Sequence, residues 1–235
     1  MIDFHSHILP QIDDGSSSYE ESLKMLEEAR NAGFKTIIST SHYATNCFEA
    51  PEYKRKSLME DLTTEDGIPK ILLGSEIFLT YNIVDLIKDF KASTINGTPY
   101  VLIELPLRHE FINLKTVINN LKENDYIPII AHPERYLYIQ SNLNYLYDLN
   151  EMGALFQCNY GSILGKYGIK AKLIMKKMLK NGLVTFLGTD AHRQNSIYLE
   201  VPKAISKIKK YISQEELDEI TTYNAEKVIN GEDIW

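Results

Sequence analysis

Eight residues combine metal-ligand chemistry with one recurring sequence position. His5, His7, His42, Glu76, Glu104, His132, Asp190 and His192 each stand at or just beyond the end of a short apolar run, the runs reading MIDFH, TIIST, KILLG, YVLIE, IPIIA and VTFLGT. Five of the six histidines fall in this group, a concentration that random placement does not readily give. In an extended strand His5 and His7 point to one side about 7 Å apart, so suitable rotamers bring both imidazoles to one ion. Asp190 and His192 repeat that spacing. A lone H-x-H or D-x-H is weak evidence, but eight such residues at successive strand ends are strong. Imidazole and carboxylate without thiolate suit Mn²⁺, Fe or Zn²⁺ in a catalytic site better than a closed cysteine-rich zinc site. Five imidazoles and three carboxylates exceed the needs of one ion, so two or three divalent ions are expected.

Residues so far apart meet only if the elements that carry them converge. A seventh β-type run, ALFQCN, joins the six above, and helical segments alternate with them. Ser18-x-x-Glu21 reads as a capping box that opens a helix through Ala32, with Gly33 placed to end it. Further helices are predicted over Asn113 to Asn124, Asn142 to Met152, Lys170 to Asn181 and Gln214 to Ile229. Short strands alternating with helices imply an α/β fold of parallel βαβ units, either a closed barrel or an open doubly wound sheet. In α/β barrels the C-terminal strand edges share one face, where active sites lie. No Pro/Gly/Ser-rich linker or low-complexity segment divides the chain, and one domain is the simplest account.

Composition removes other classes. The 235 residues are 44% hydrophobic with a net charge of −7, and no long basic block is present, which disfavours nucleic-acid binding. No apolar run approaches a membrane span, and the start carries Asp3 instead of a basic stretch before an apolar one, so a cytoplasmic location is expected. Cys47 and Cys158 form no C-x-x-C pair, which makes a disulfide framework improbable. A cysteine-nucleophile C-x5-R loop would need arginine where Tyr53 and Leu164 stand.

The segments DFHSHILPQIDDG, STSHY, GSEIF, LIELP, IIAHPERY and LGTDAH occur in the order and approximate spacing of the polymerase and histidinol phosphatase (PHP) superfamily. More narrowly, HILPxIDDG and AHPER resemble the bacterial manganese-dependent protein-tyrosine phosphatases of capsule and exopolysaccharide gene clusters, the CpsB/CapC family. The resemblance spans nearly the whole chain and implies a distorted (β/α)7 TIM-like barrel, one PHP-type domain over residues 1–235, with a trinuclear site. By motif, it assigns His5, His7, Glu76 and Asp190 to the first ion, Glu76, Glu104 and His132 to the second, and Asp14, His42 and His192 to the third. Mn²⁺ is the metal it favours. It implies hydrolysis of phosphotyrosine in a protein partner, a bacterial tyrosine autokinase of polysaccharide export. Other PHP enzymes, a histidinol-phosphate phosphatase or a nucleotide phosphodiesterase, match the donors but not the HILPxIDDG and AHPER details.

Two arginines are candidates for holding phosphate. Arg135 of AHPER matches the family; where members commonly carry an Arg-Pro several residues after D-x-H, this chain has Ile197, and Arg193 is the candidate substitute. The residues alone leave open whether Asp13 or Asp14 ligates, and the resemblance favours Asp14. Asp3 reads either as a partner behind the ligands or as a strand-start structural residue. His109 reads as a solvated loop residue, and Cys158 as packing.

Overall fold

The structure, a computed structural model, describes residues 1–65 and 67–234. Among them the chain forms strands β1 (Ile2–Ser6), β2 (Thr36–Ser39), β3 (His42–Tyr43), β4 (Lys70–Leu73), β5 (Glu76–Phe78), β6 (Tyr100–Glu104), β7 (Ile127–Ala131), β8 (Leu155–Asn159) and β9 (Phe186–Gly188). The pairings are parallel, in the orders β1-β2-β4 and β3-β5-β6-β7-β8-β9. The sequence predicts seven runs, and the two additional strands arise where a run breaks and resumes. Ser39 faces Leu73 and His42 faces Glu76 at the same offset, so residues 40–41 and 74–75 interrupt one ladder without changing its register. Beyond β9 the chain returns to β1: Asp190 N donates to His5 O (2.7 Å), His7 N donates to Ala191 O (2.9 Å), and Ser6 bridges Ala191 in parallel. The result is a mixed α/β fold with a curled parallel sheet.

The two-residue period of a strand places the site. Ile38, Leu72, Tyr100, Leu102, Ile129 and Phe186 form one buried cluster with Phe4, whose ring stacks on Phe186 at 3.9 Å. Continuing the alternation outward from these residues gives His42, Glu76, Glu104 and Asp190. One face of the sheet is thus apolar at its base and lined by imidazole and carboxylate groups at its C-terminal edge. The intervening residues Ile37, Ile71, Val101, Ile103 and Ile130 pack in a larger cluster with the helices. Burial on both faces explains why the strands read as nearly continuous apolar runs. β1 shifts register between Asp3 and Ser6, an irregularity of the kind that re-aims a side chain, and His5 lies within it.

The helices are α1 (Tyr19–Asn31), α2 (Glu52–Thr63), α3 (Ile83–Lys88), α4 (Leu114–Glu123), α5 (Leu137–Ser141), α6 (Asn144–Glu151), α7 (Tyr160–Leu164), α8 (Gly168–Lys180), α9 (Val201–Ile208), α10 (Gln214–Asp218) and α11 (Asn224–Ile229). The box predicted at α1 is only half formed. Ser18 Oγ accepts from Glu21 N (3.2 Å), but the Glu21 carboxylate accepts from Ser17 N and Ser17 Oγ instead of the Ser18 backbone. The helix predicted over 142–152 starts later as α6, because Asn142 is extended and its Oδ1 accepts from Asn144 N (3.2 Å), a local bond that competes with the helix. The last predicted helix, 214–229, contains a π-helical segment at Glu219–Tyr223, where Thr221 Oγ1 donates back to Leu217 O (2.8 Å).

Candidate metal centre

The structure brings His5, His7, Asp14, His42, Glu76, Glu104, His132, Asp190 and His192 together; all but His132 fall into three overlapping groups, in which His42 stands with Glu76 and Glu104 where His132 was expected. Ligand atoms of His5, His7, Glu76 and Asp190 lie within 4.8 Å of one another, as do those of His7, Asp14, His42 and His192, and those of His42, Glu76 and Glu104. Glu76 sits between them. Its Oε2 is 3.0 Å from His5 Nε2, 3.3 Å from His7 Nε2 and 3.2 Å from His42 Nδ1, while its Oε1 is 2.8 Å from His132 Nε2. His132 Nε2 is also 4.0 Å from Glu104 Oε1.

The ring tautomers decide whether these residues fit cations. His5 Nδ1 donates to Gln157 Oε1 (2.7 Å), His7 Nδ1 to Asp13 Oδ2 (2.9 Å), and His192 Nδ1 to Asp190 O (3.0 Å). Each bond puts the proton on Nδ1 and leaves Nε2 a lone pair. Nε2 of His5 and Nε2 of His7 then face each other at 3.0 Å with carboxylate oxygens around them. Burial disfavours a charge on His7, yet its bonds to Asp13, Asp190 and Glu76 outweigh this and push its pKa well above the usual imidazole value, so the cluster draws in a positive charge that a cation can supply in place of a proton. Charge leads to the same conclusion. With the protein's own groups alone, burial and then Glu76 push the Glu104 carboxyl up to about 8, and a cation beside it favours its ionised form.

The two aspartates separate cleanly. The Asp13 side chain is fully buried and accepts from His7 Nδ1, Gly15 N and His42 N, so it orients the segments that carry His7 and His42. The Asp14 side chain is 57% exposed and its Oδ1 lies 3.6 Å from His42 Nε2 and 3.4 Å from His192 Nε2. Asp3 does not touch the His5 ring. It accepts from Thr189 N (2.8 Å), Thr189 Oγ1 (2.6 Å) and Tyr198 OH (2.8 Å), fixing the backbone just before Asp190. His132 and Asp190 both adopt left-handed backbone, with φ 32° and 54°. His132 is out of step with the alternation that points Ala131 inward, and this turn carries it beyond the strand end.

A cleft of about 550 Å³ opens beside the cluster, lined by Asp14, His42, Glu76, Glu104, His132, Asp190 and His192 together with Arg135, Tyr167, Phe48, Phe78, Ala44, Thr45 and Cys47. Arg135 Nη1 donates to Asp190 Oδ2 (2.7 Å), and its guanidinium lies 4.5 Å over the Tyr167 ring. Arg193 departs from expectation. It does not line the cleft; its Nη1 donates to the carbonyls of Asp14 (2.7 Å), His192 (2.7 Å) and Gly15, fastening two loops together. His109 is exposed, and Cys158 is buried with its Sγ 3.8 Å from Met178 Sδ.

The profile of a family described as "Capsular polysaccharide synthesis, CpsB/CapC" matches residues 1–230. The chain belongs to the CpsB/CapC family. Its relatives include "Tyrosine-protein phosphatase YwqE" of Bacillus subtilis (strain 168), 32% identical over 239 residues and covering 100% of this chain and 94% of that protein. A crystal structure from a study of YwqE of Bacillus subtilis and CpsB of Streptococcus pneumoniae, described there as metal-dependent tyrosine phosphatases, aligns with TM-score 0.91 at 30% identity, covering 100% of this chain and 96% of that one. The fold is also shared with a histidinol phosphate phosphatase of Lactococcus lactis, TM-score 0.62 at 18% identity, over 89% of this chain and 93% of that one.

Two site residues of this CpsB/CapC-family chain escape a reading confined to ligand types. Gln157 and Asn159 share a face of β8; Gln157 Nε2 donates to Asn159 Oδ1 (2.9 Å), and Asn159 Nδ2 donates to Asp190 Oδ2 (2.8 Å). The available signal is two buried polar residues in alternation at the end of an otherwise apolar run. Gly188 lets this layer close on β1, since a Cβ there would lie 2.6 Å from His5 Cβ. Gln157→Leu should keep the fold and lower metal affinity about 10–100-fold, the usual cost of removing a ligand's outer hydrogen-bond partner. Metal titration of the variant checks this, and unchanged affinity would refute the orienting role.

Proposed function

We propose that this chain is a metal-dependent phosphotyrosine-protein phosphatase that acts on a tyrosine kinase of capsular or exopolysaccharide synthesis. The observation that carries the reading is Glu76, one buried carboxylate whose two oxygens face four imidazoles and which two overlapping groups share. His5, His7, Glu76 and Asp190 would hold one ion, Glu76, Glu104 and His132 a second, and Asp14, His42 and His192 a third, with Mn²⁺ the metal that the donors and the family favour. His7 lies within reach of the third group as well as the first, and His42 within reach of the Glu76–Glu104 pair. A distorted seven-strand barrel within one domain accounts for the positions, supported by the backbone bonds from residues 190–191 to β1. The family and the absence of a helix long and apolar enough to cross a membrane among the described residues favour action in the cytoplasm.

When bound, the ions supply Lewis acidity and an activated water for hydrolysis of a phosphate monoester. The chain's own contribution is position and charge. Only Nη1 of Arg135 has a protein hydrogen-bond acceptor among the described residues, which leaves further donors of a planar fork for phosphate oxygens. Asp190 and the Tyr167 ring hold that fork in the cleft. A phenolic leaving group, with pKa about 10, departs more easily than an alkoxide and depends less on a proton donor.

The decisive experiment couples metal analysis to hydrolysis of a phosphotyrosine peptide. Chelation should abolish activity and Mn²⁺ should restore it. Cys47→Ser combined with Cys158→Ser should keep nearly full activity, and a folded but inactive double variant would overturn the proposal.

A further inference from the structure

Large apolar side chains cluster at one side of the cleft mouth. Of the twelve large hydrophobic residues that stay exposed among the described residues, Phe78 (39%), Tyr81 (57%), Leu107 (40%), Ile112 (75%) and Leu137 (52%) lie at or beyond the C-terminal ends of three consecutive strands, β5, β6 and β7. Their loops are tied into one surface. Tyr81 OH donates to Ile112 O (3.0 Å), the Tyr81 and Phe111 rings lie 5.0 Å apart, and Leu137 N donates to Leu107 O (3.0 Å). Leu107, Arg108 and Leu137 line a hollow of about 340 Å³ that shares Arg135 and Tyr167 with the metal cleft. Arg108 makes no ion pair or hydrogen bond among the described residues, so two cations flank the hollow, one held by Asp190 and one free.

We propose that this rim docks the polypeptide that flanks the phosphotyrosine, taking an aliphatic side chain into the Leu107–Leu137 hollow and an acidic one at Arg108. The inference rests on the phosphatase reading of the adjoining cleft. Three features identify the occupant. The hollow is continuous with the cleft across Arg135 and Tyr167, so a chain whose phosphate lies in the cleft passes over it. Leu107 and Leu137 line it, which suits a leucine-like side chain. Arg108 and Arg135 line it as well, in a chain of net charge −7, which selects an acidic neighbour over a basic one. Phe78 extends the same apolar surface into the cleft, two residues beyond Glu76 on one strand face and therefore about 7 Å further out.

The test compares p-nitrophenyl phosphate with phosphotyrosine peptides in which one leucine is scanned through the flanking positions of an otherwise alanine sequence. One leucine position should lower KM about five- to tenfold relative to the all-alanine peptide, in line with partial burial of one such side chain in an open hollow. Leu107→Ser and Leu137→Ser should erase that advantage while p-nitrophenyl phosphate hydrolysis changes by less than about twofold. Arg108→Glu should turn a neighbouring glutamate from favourable to unfavourable. The proposal is overturned if no leucine position helps, if the serine variants retain the advantage, or if they slow p-nitrophenyl phosphate equally. A concentration-dependent dimer abolished by Leu137→Ser would assign the rim to a second copy of the chain and also overturn it. Should the Mn²⁺-loaded protein hydrolyse neither p-nitrophenyl phosphate nor any peptide, the phosphatase reading itself fails.

Discussion

Glu76→Ala should give a folded protein that has lost more than one metal ion and nearly all activity. Glu76 opens β5 on the inward alternation, is fully buried, and lies within 3.3 Å of ring nitrogens of His5, His7, His42 and His132. Two of the three groups of ligand atoms contain it. Losing an outer hydrogen-bond partner of a ligand costs about 10–100-fold, so losing a ligand shared by two groups should cost at least about a hundredfold. The fold should persist because the apolar base of the same face, with Phe4 stacked on Phe186, does not depend on the carboxylate. Glu76→Gln separates charge from shape: it keeps the packing and one neutral oxygen acceptor, and should still lose metal. Elemental analysis of the purified variants, beside phosphotyrosine-peptide hydrolysis, is the measurement. Full metal content in Glu76→Ala would show that the carboxylate is not shared between ions.

Arg135→Ala should lower kcat/KM by about one to two orders of magnitude at saturating metal, where any affinity lost with its bond to Asp190 is made up and Asn159 still donates to the same carboxylate. Hydrogen bonds to charged groups contribute about 1.5–3 kcal/mol, and each ~1.4 kcal/mol is about tenfold. Arg135 is a test of phosphate binding because its guanidinium lines the cleft and contacts the cluster through Asp190 alone among the clustered carboxylates. Arg135→Lys should recover only part of the loss, since an ammonium keeps the charge and lacks the planar fork. Arg193→Ala is the contrasting variant. Its guanidinium grips carbonyls of Asp14 and His192, so its removal should loosen the segments carrying those residues and appear as weaker metal binding more than as a raised KM. Unchanged kinetics in Arg135→Ala with full metal would remove the arginine from the phosphate site.

The site was more legible than the scaffold's detail, for a physical reason. Metal-ligand types are rare inside apolar runs, so a histidine or carboxylate that ends a strand stands out whatever the exact strand boundary. The helices lack such a marker. α2 buries only Arg55 and Leu62 among its twelve residues, which leaves no apolar stripe to detect. The breaks that divide β2 from β3 and β4 from β5 depend on pairing between strands, and no local pattern records them. Asp13 and Asp14 are chemically identical neighbours; one becomes buried against His7 while the other faces His42 and His192, because the turn at residues 13–15 gives them opposite directions. Arg193 follows His192 as directly as any phosphate-binding residue would, yet nearby carbonyls compete for its donors. Sequence position gives proximity, and the competition among acceptors appears only in three dimensions.

The bonds that Asp3 makes to Thr189 and Tyr198 set an order of events during synthesis. At about 5–20 residues per second, roughly 10–40 s separate the appearance of His5 and His7 from that of Asp190 and His192. Through that interval the nascent chain carries an H-x-H pair without the partners that would complete a cage, and any ion it meets can be held only loosely. Closure comes when the far end of the chain folds back onto its beginning and Thr189 reaches Asp3. An ion held by His5, His7, Glu76 and Asp190 together would therefore require a chain that extends at least through Asp190.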